Sequence, residues 1–301
     1  MDEETAFWRE ALRRYLHDPP HKVFAIKGRK KQKEKDEDGG HEKDADCIAN
    51  AAGLPNKPIS RNKQAWEAAD HFASALERVT GSKSKKDFDY LKSAWVVLPL
   101  GGTGIEVPIP EKAQEDWDNW RDAFRGFYSE ICRRIRNKCC KESAPQVEEE
   151  WKKVFWNVWR WLVEAGYLGQ KEDEHREDWQ YFLARYGELL PAYTVAPDHS
   201  IWEHLKVTSA VGVENRKIKV SLIKVGLRGV QEFIRQARKA QDLWAGSWLF
   251  SYLTFRMIAE CADNYGPTVL VYPDLLRQPL VDWWFSTKQG VLLAPEQVGF
   301  K

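Results

Sequence analysis

Tyr15-Leu16-His17-Asp18-Pro19-Pro20-His21-Lys22 closes an amphipathic stretch near the start of the chain. Its reading decides what the N-terminal half is. Upstream, Phe7, Trp8, Ala11, Leu12, Tyr15 and Leu16 recur at helical spacing, which predicts a helix over 5–17. Pro19 and Pro20 end it, because proline lacks the N–H that a helix interior uses. The pair His17-Asp18 therefore sits at the helix end. An imidazole beside a carboxylate is a natural start for a divalent-metal site, since imidazole suits transition ions and a carboxylate can hold or bridge them. A His-Asp dipeptide also arises by chance, so its weight depends on what else the chain supplies.

More polar features fall on or beside predicted helices: His21, His41 and Asp70-His71. Asp70 is flanked by Ala68, Ala69, Phe72 and Ala73, and a carboxylate there is costly to bury unless it is paired or bound to metal. Helical metal-dependent phosphohydrolases gather His and Asp ligands from several helices in this way. The candidate ligands are His17, Asp18, His41 and Asp70. The candidate catalytic residues are His17, Asp18 and Lys22, with Lys22 steadying a phosphate. The structural alternative is a set of ordinary hydrogen-bonded histidines. His71 is read that way, and His41 could equally be a surface residue.

Working outward, Lys27–Asp38 is a basic block that turns acidic before Gly39-Gly40, a solvated and flexible loop over 27–40. A short helix is expected from His41 to Ala52, ended by Gly53. Ser60 could cap the next helix, whose stripe is Trp66, Ala69, Phe72, Ala73 and Leu76. Residues 92–110 look extended around a Gly101-Gly102 turn. Two strong helices follow, one with Trp117, Trp120, Phe124, Phe127, Tyr128, Ile131 and Ile135, the other with Trp151, Phe155, Trp159 and Leu162. A weaker one runs from Trp179 to Leu189. These aromatic stripes read as core. Arg133, Arg134, Arg136 and Lys138 read as a solvated face complementing the helix dipole, or as a phosphate or partner contact.

The pattern then changes. Lys217–Val225 alternates through Ile218, Val220 and Leu222, as a half-buried strand does. Gly226 and Gly229 make a turn. A long helical region over 230–262, broken near Gly246, leads to a second strand over 267–272. Strand, helix, strand is a βαβ unit. A boundary near 213–216 divides a helical domain, 1–215, from the opening of an α/β domain, 216–301.

Composition bounds the function. The chain has 301 residues and a formal net charge of +1, so no global field marks a nucleic-acid binder. Fifteen tryptophans imply large buried helical faces or surfaces covered in a complex. Five cysteines without a CxxC pair fit a reducing cytoplasm. The acidic N-terminus carries no signal peptide, and no apolar run approaches the ~18–20 residues that span a bilayer.

Several stretches together resemble the large subunit of type III-B CRISPR effector complexes, the Cmr complexes. They are Leu16-His17-Asp18-Pro19-Pro20-His21-Lys22 with Gly40-His41-Glu42; Ala69-Asp70-His71-Phe72-Ala73-Ser74-Ala75; and Pro197-Asp198-His199-Ser200-Ile201-Trp202-Glu203-His204-Leu205. The most specific is Val230-Gln231-Glu232-Phe233-Ile234-Arg235-Gln236-Ala237-Arg238, continuing through Asp242-Leu243-Trp244-Ala245-Gly246-Ser247. Tyr272-Pro273-Asp274 and Gln278-Pro279-Leu280 follow in the family's order.

The resemblance implies a mainly α, HD-like phosphohydrolase domain with permuted ligand order, followed by the start of an α+β, ferredoxin-like palm. It implies a divalent metal (Mn, Ni or Mg) at the HD site and cleavage of single-stranded DNA where that site is active. It also implies ATP with Mg between two palms, and cyclic oligoadenylate synthesis when target RNA meets the CRISPR RNA of the complex. Other Cmr subunits are the implied partners. His17 and Asp18 match the HD pair, and His41 and Asp70 match further ligands. Asp198, His199 and His204 lie where the family folds back on the HD domain, where they complete the site or only pack; packing is the preferred reading. Gly246 and Ser247 are read as a helix start contacting nucleotide, with Gly229 and Gln231 as weaker contacts. There is no adjacent His-His pair and no Gly-Gly-Asp-Asp sequence. Two other readings stay open: a stand-alone metal-dependent phosphohydrolase, and a degenerate scaffold.

Overall fold

The computed structural model describes residues 3–25, 40–55, 63–77, 93–97, 104–168, 178–192, 199–214 and 217–298. The expected loop over 27–40, the Ser60 cap, the Gly101-Gly102 turn and Asp198 fall wholly or almost wholly outside them. The chain is mainly helical. In order it forms α1 (Glu3–Tyr15), α2 (Gly40–Ala51), α3 (Lys63–Glu77), the antiparallel hairpin β1 (Ser93–Val97) and β2 (Gly104–Pro108), and α4 (Glu111–Glu115). The long pair α5 (Trp117–Cys139) and α6 (Glu148–Leu168) follows, then α7 (Asp178–Tyr186) and α8 (Ile201–Ala210). The small antiparallel pair β3 (Gly212–Glu214) and β4 (Lys217–Lys219) leads to α9 (Val230–Arg235), α10 (Ala240–Tyr265) and α11 (Pro279–Trp283).

Helix α1 buries Trp8, Ala11, Leu12 and Tyr15, a stripe at spacings of three and four that faces α6 and α8. The last α-type bond of this turn is donated by Leu16 N–H to the Leu12 carbonyl at 3.0 Å. His17 and Asp18 thus lie in the turn after the helix rather than inside it. The chain re-enters a helical turn when Lys22 N–H bonds the Pro19 carbonyl at 2.9 Å.

Helix α6 is apolar almost all round. Trp151, Val154, Phe155, Trp156, Val158, Trp159, Trp161 and Leu162 are all buried, which is what a helix at the centre of a core requires. Beside it α5 buries Trp120, Phe124, Tyr128, Ile131, Cys132 and Ile135. Phe24 fills the space between α5 and α7, with ring centroids 4.6 Å from Trp117, 4.7 Å from Phe124 and 5.7 Å from Phe182. Many of the tryptophans are therefore core, as their spacing suggests.

The same core takes in the C-terminal segment. Leu275, Val281, Phe285, Val291, Leu292 and Val298 belong to one buried cluster with α1, α5 and α6. Trp156 stacks on Phe285 with centroids 4.1 Å apart and planes at 28°. Asn157, fully buried, binds this segment through its amide. Its Nδ2 donates to the carbonyls of Lys153 and Val291, both at 2.8 Å, and its Oδ1 accepts from Leu293 N–H at 2.8 Å and Trp161 Nε1 at 3.2 Å. Every bond that amide can readily make inside a core is made.

Three expectations for the C-terminal part change. The strand over 217–225 pairs only at Lys217–Lys219. The second strand, over 267–272, is a 3-10 turn at Pro267–Val269 followed by unpaired chain. The long helix breaks at 236–239, between α9 and α10, and runs unbroken through Gly246. Without strand partners the alternating apolar side chains stand in solvent. Val220 is 56%, Leu222 87%, Ile223 80% and Trp244 71% exposed. A strand pattern needs a neighbour to satisfy its backbone and cover its face, and none of the described residues supplies one. The five cysteines are all free. Among the described residues, no helix is long and apolar enough to cross a membrane.

Candidate metal centre

The turn after α1 aims His17 and Asp18 at the ends of two other helices. His17 Nδ1 lies 2.7 Å from the Arg14 carbonyl and donates its proton there. That bond fixes the ring and leaves Nε2 facing the cluster, the arrangement typical of metal-ligating histidines. Trp66 of α3 packs on the His17 ring at 5.1 Å. Around Nε2 stand Asp18 Oδ2 at 3.3 Å, His204 Nε2 at 3.3 Å and Asp70 Oδ1 at 3.8 Å. His204 Nε2 is 3.1 Å from Asp70 Oδ1 and 3.7 Å from Asp18 Oδ2. His41, at the start of α2, brings Nε2 within 3.7 Å of Asp18 Oδ1. Lys22 donates to Asp18 Oδ2 from one turn on. His17, Asp18 and His204 are buried, whereas Asp70 and His41 keep 25% and 22% of their side chains exposed, so the cluster is open on their side.

The four candidate ligands, His17, Asp18, His41 and Asp70, thus come together. His204, for which packing is the preferred reading and completing the site the alternative, joins them. Its stripe carries the signal: Ile201, His204, Leu205 and Thr208 share the buried face of α8, and a histidine on such a face needs a polar partner. Ser200 starts that helix, its hydroxyl accepting from Glu203 N–H at 3.3 Å. His199 stays at the edge, its ring centroid 5.9 Å from that of His204. His71, expected to be structural, is exposed.

His21 is not part of this cluster. It is buried against Tyr128 and bonds Asp44 Oδ2 through Nε2 at 3.1 Å. Burial holds its pKa below that of a free imidazole despite the Asp44 carboxylate. Lys22 is committed to Asp18, so its charge neutralises that carboxylate.

The nucleotide candidates are placed differently from the reading that selected them. Gly246 and Ser247 lie inside α10, where their backbone N–H groups serve the helix. Gly246 is instead a close-packing position: a Cβ there would sit 3.1 Å from Phe233 Cε1 of α9. Gly229 caps α9 at φ 75°, a left-handed conformation that the turn itself requires, and Gln231 is exposed on α9.

The electrostatics fit a cation. Burial alone favours neutral His17, but Asp18 and Asp70 outweigh it and lift its pKa to about 9. Burial would raise the carboxyls of Asp18 and Asp70. Lys22 and His17 hold Asp18 well below the usual range, and His17 and His204 hold Asp70 there. Without metal, His17⁺ stabilises the fold fully below the ordinary imidazole pKa of 6.5, and that contribution is lost as pH rises through about 9. The two carboxylates contribute above their ordinary range and lose that contribution as pH falls through their depressed pKa values. Two imidazoles and two carboxylates converging on one point are a donor set for a divalent transition ion.

Such an ion must replace the His17 proton. Manganese binding is expected to release about one proton per ion at neutral pH and to strengthen as pH rises towards 9. Calorimetry in buffers of different ionisation enthalpy checks this, and an affinity that does not change between about pH 6 and pH 8 would contradict it.

Comparison with known proteins places the chain. Residues 222–298 match the family described as CRISPR-associated protein Cmr2, N-terminal. The CRISPR system Cmr subunit Cmr2 of Pyrococcus furiosus is 28% identical over 295 residues, covering 90% of this chain and 32% of that protein. By sequence, the chain is thus similar to Cmr2 over most of its length. The Cmr2 of Saccharolobus solfataricus is 35% identical over 92 residues, 29% of this chain and 9% of that relative. The chain thus spans about a third of the length of the Pyrococcus Cmr2. The long alignment to that Cmr2 spans most of the chain, whereas the family match covers residues 222–298, which hold most of the exposed apolar side chains and also the C-terminal core segment.

Proposed function

We propose that the chain forms the N-terminal part of the large subunit of a type III-B CRISPR RNA-guided Cmr complex, and that its helical region is an HD-like metal-dependent nuclease for single-stranded DNA. The observation that carries the nuclease reading is the convergence of His17, Asp18, Asp70 and His204, with His41 beside them, from four separate parts of the fold. Bound there, Mn, Ni or Mg would lower the pKa of a water and neutralise charge on a phosphodiester. The protein's own groups do the rest. The Arg14 carbonyl and Trp66 fix the His17 ring, Lys22 balances Asp18, and the exposed edge at Asp70 and His41 is where a strand would approach.

Residues from 216 on are proposed as the opening of a ferredoxin-like palm. Their exposed apolar side chains support this, since such a surface is stable in water when further chain covers it. ATP with Mg, and cyclic oligoadenylate synthesis, are assigned to the face shared with a second palm, because no Gly-Gly-Asp-Asp occurs in the sequence. Gly229 and Gln231 are the exposed candidates to touch that nucleotide. CRISPR RNA and target RNA enter through the complex.

The test is manganese-dependent cleavage of single-stranded DNA, alone and after assembly with Cmr subunits. Cleavage is expected from the wild-type chain and not from Asp18→Ala. A wild-type chain that assembles but binds no metal and cuts nothing would leave the scaffold reading instead.

A further inference from the structure

Among the described residues, Asp44 is the most heavily bonded carboxylate outside the metal cluster, and nothing in the chemistry above uses it. It is fully buried on α2. Its Oδ2 accepts from His21 Nε2 at 3.1 Å and from Arg121 Nε at 2.8 Å. Its Oδ1 accepts from Arg121 Nη2 and Arg125 Nη1, each at 3.1 Å. The Arg121 contact is two-pronged, the geometry in which guanidinium fixes a carboxylate most rigidly. Arg121 and Arg125 lie on α5, one turn apart, and His21 lies in the turn that also presents His17, Asp18 and Lys22.

One carboxylate therefore ties three parts of the fold together: α2, α5 and the turn carrying the His-Asp pair. His41 stands three residues before Asp44, so the two share a face of α2. Helix α2 is held against α5 and the His-Asp turn by the bonds of Asp44. The arrangement gives Asp44 a purpose: it sets the position of the first turn of α2, and with it the distance from His41 to Asp18.

We infer that Asp44, held by Arg121, Arg125 and His21, is a positioning residue that brings His41 to the metal cluster. The inference rests on the metal reading of that cluster. It makes Asp44 act through His41, without touching the ion.

The experiment is manganese affinity, by calorimetry or by the loss of the free-ion EPR signal, on the full chain. Wild type, Asp44→Asn, His41→Ala and the double variant form a cycle. Asp44→Asn is expected to weaken binding by about tenfold in the wild-type background, the lower end for residues that support metal ligands. With His41 already removed it is expected to change affinity by less than about twofold, because the residue through which it acts is gone. Equal losses in both backgrounds would show a general disturbance and overturn the inference. So would wild-type affinity in a folded Asp44→Asn. If Asp44→Asn does not fold, Arg125→Gln removes one bond while Asp44 keeps its other partners, and the same cycle is read with it. No binding by the wild type would remove the metal reading and this inference together. Binding by the wild type with an unaltered Asp44→Asn would remove this inference alone.

Discussion

His204→Ala is expected to weaken manganese binding by more than ~100-fold, beyond what the loss of a merely supporting residue costs. The reason is where its Nε2 stands: 3.3 Å from the same atom of His17 and 3.1 Å from Asp70 Oδ1. Two ring nitrogens facing each other at that distance need a proton or a cation between them. His17 has already committed Nδ1 to the Arg14 carbonyl, so its Nε2 has only the cluster to serve. Calorimetric titration of the metal measures the effect. His204→Gln is the informative companion, because glutamine keeps a polar side chain of similar reach in the buried site. If His204 only packs, glutamine will preserve the affinity. If it is a ligand, both variants will lose it while the glutamine variant keeps the fold.

Trp156→Ala is expected to cost about 3–5 kcal/mol of unfolding free energy, the range for removing a large aromatic from a core. Trp156 is fully buried and stacks on Phe285 at 4.1 Å. The loss should include loosening of the segment that Phe285 anchors, seen as faster proteolysis within 279–298. Trp156→Phe should cost much less. It keeps a ring against Phe285, and the indole Nε1 that it removes has no hydrogen-bond partner among the described residues. Urea denaturation of the three proteins measures this. A cost below about 1 kcal/mol for Trp156→Ala would mean that α6 and the C-terminal segment do not share a core.

The helices were legible because their apolar residues repeat at the period of the turn. The stripe of α5, from Trp120 through Phe124 and Tyr128 to Ile135, is buried as that period requires. Asp70 is legible because it is a costly group beside apolar neighbours, whereas His17, Asp18 and His41 stand out only as imidazole and carboxylate groups on or beside predicted helices. His204 stays open in the sequence because one sequence cannot say whether a buried histidine faces a carboxylate or only fills space. That depends on α8 crossing α1 and α3, which no local pattern encodes. The C-terminal part misleads for a different reason. Alternation at 217–225 states a preference for strand, but a strand exists only with a hydrogen-bonded neighbour, and beyond Lys219 the described chain offers none. Gly246 was read as a helix start, whereas its missing side chain makes room for Phe233.

Helix α8 faces two ways. On one side His204 meets the cluster. On the other, Lys206 binds Asp274 at 2.5 Å, and the Ser209 hydroxyl donates to the Ala11 carbonyl at 2.9 Å while accepting from Thr268 Oγ1 at 3.4 Å. Arg14, whose carbonyl fixes His17, reaches the Ser209 carbonyl with its guanidinium. His204 and the anchors of residues 268–274 are thus carried on the same ten-residue rod. Displacing residues 268–274 would shift His204 against His17 and Asp70, so one helix links the buried cluster to a region with exposed apolar side chains.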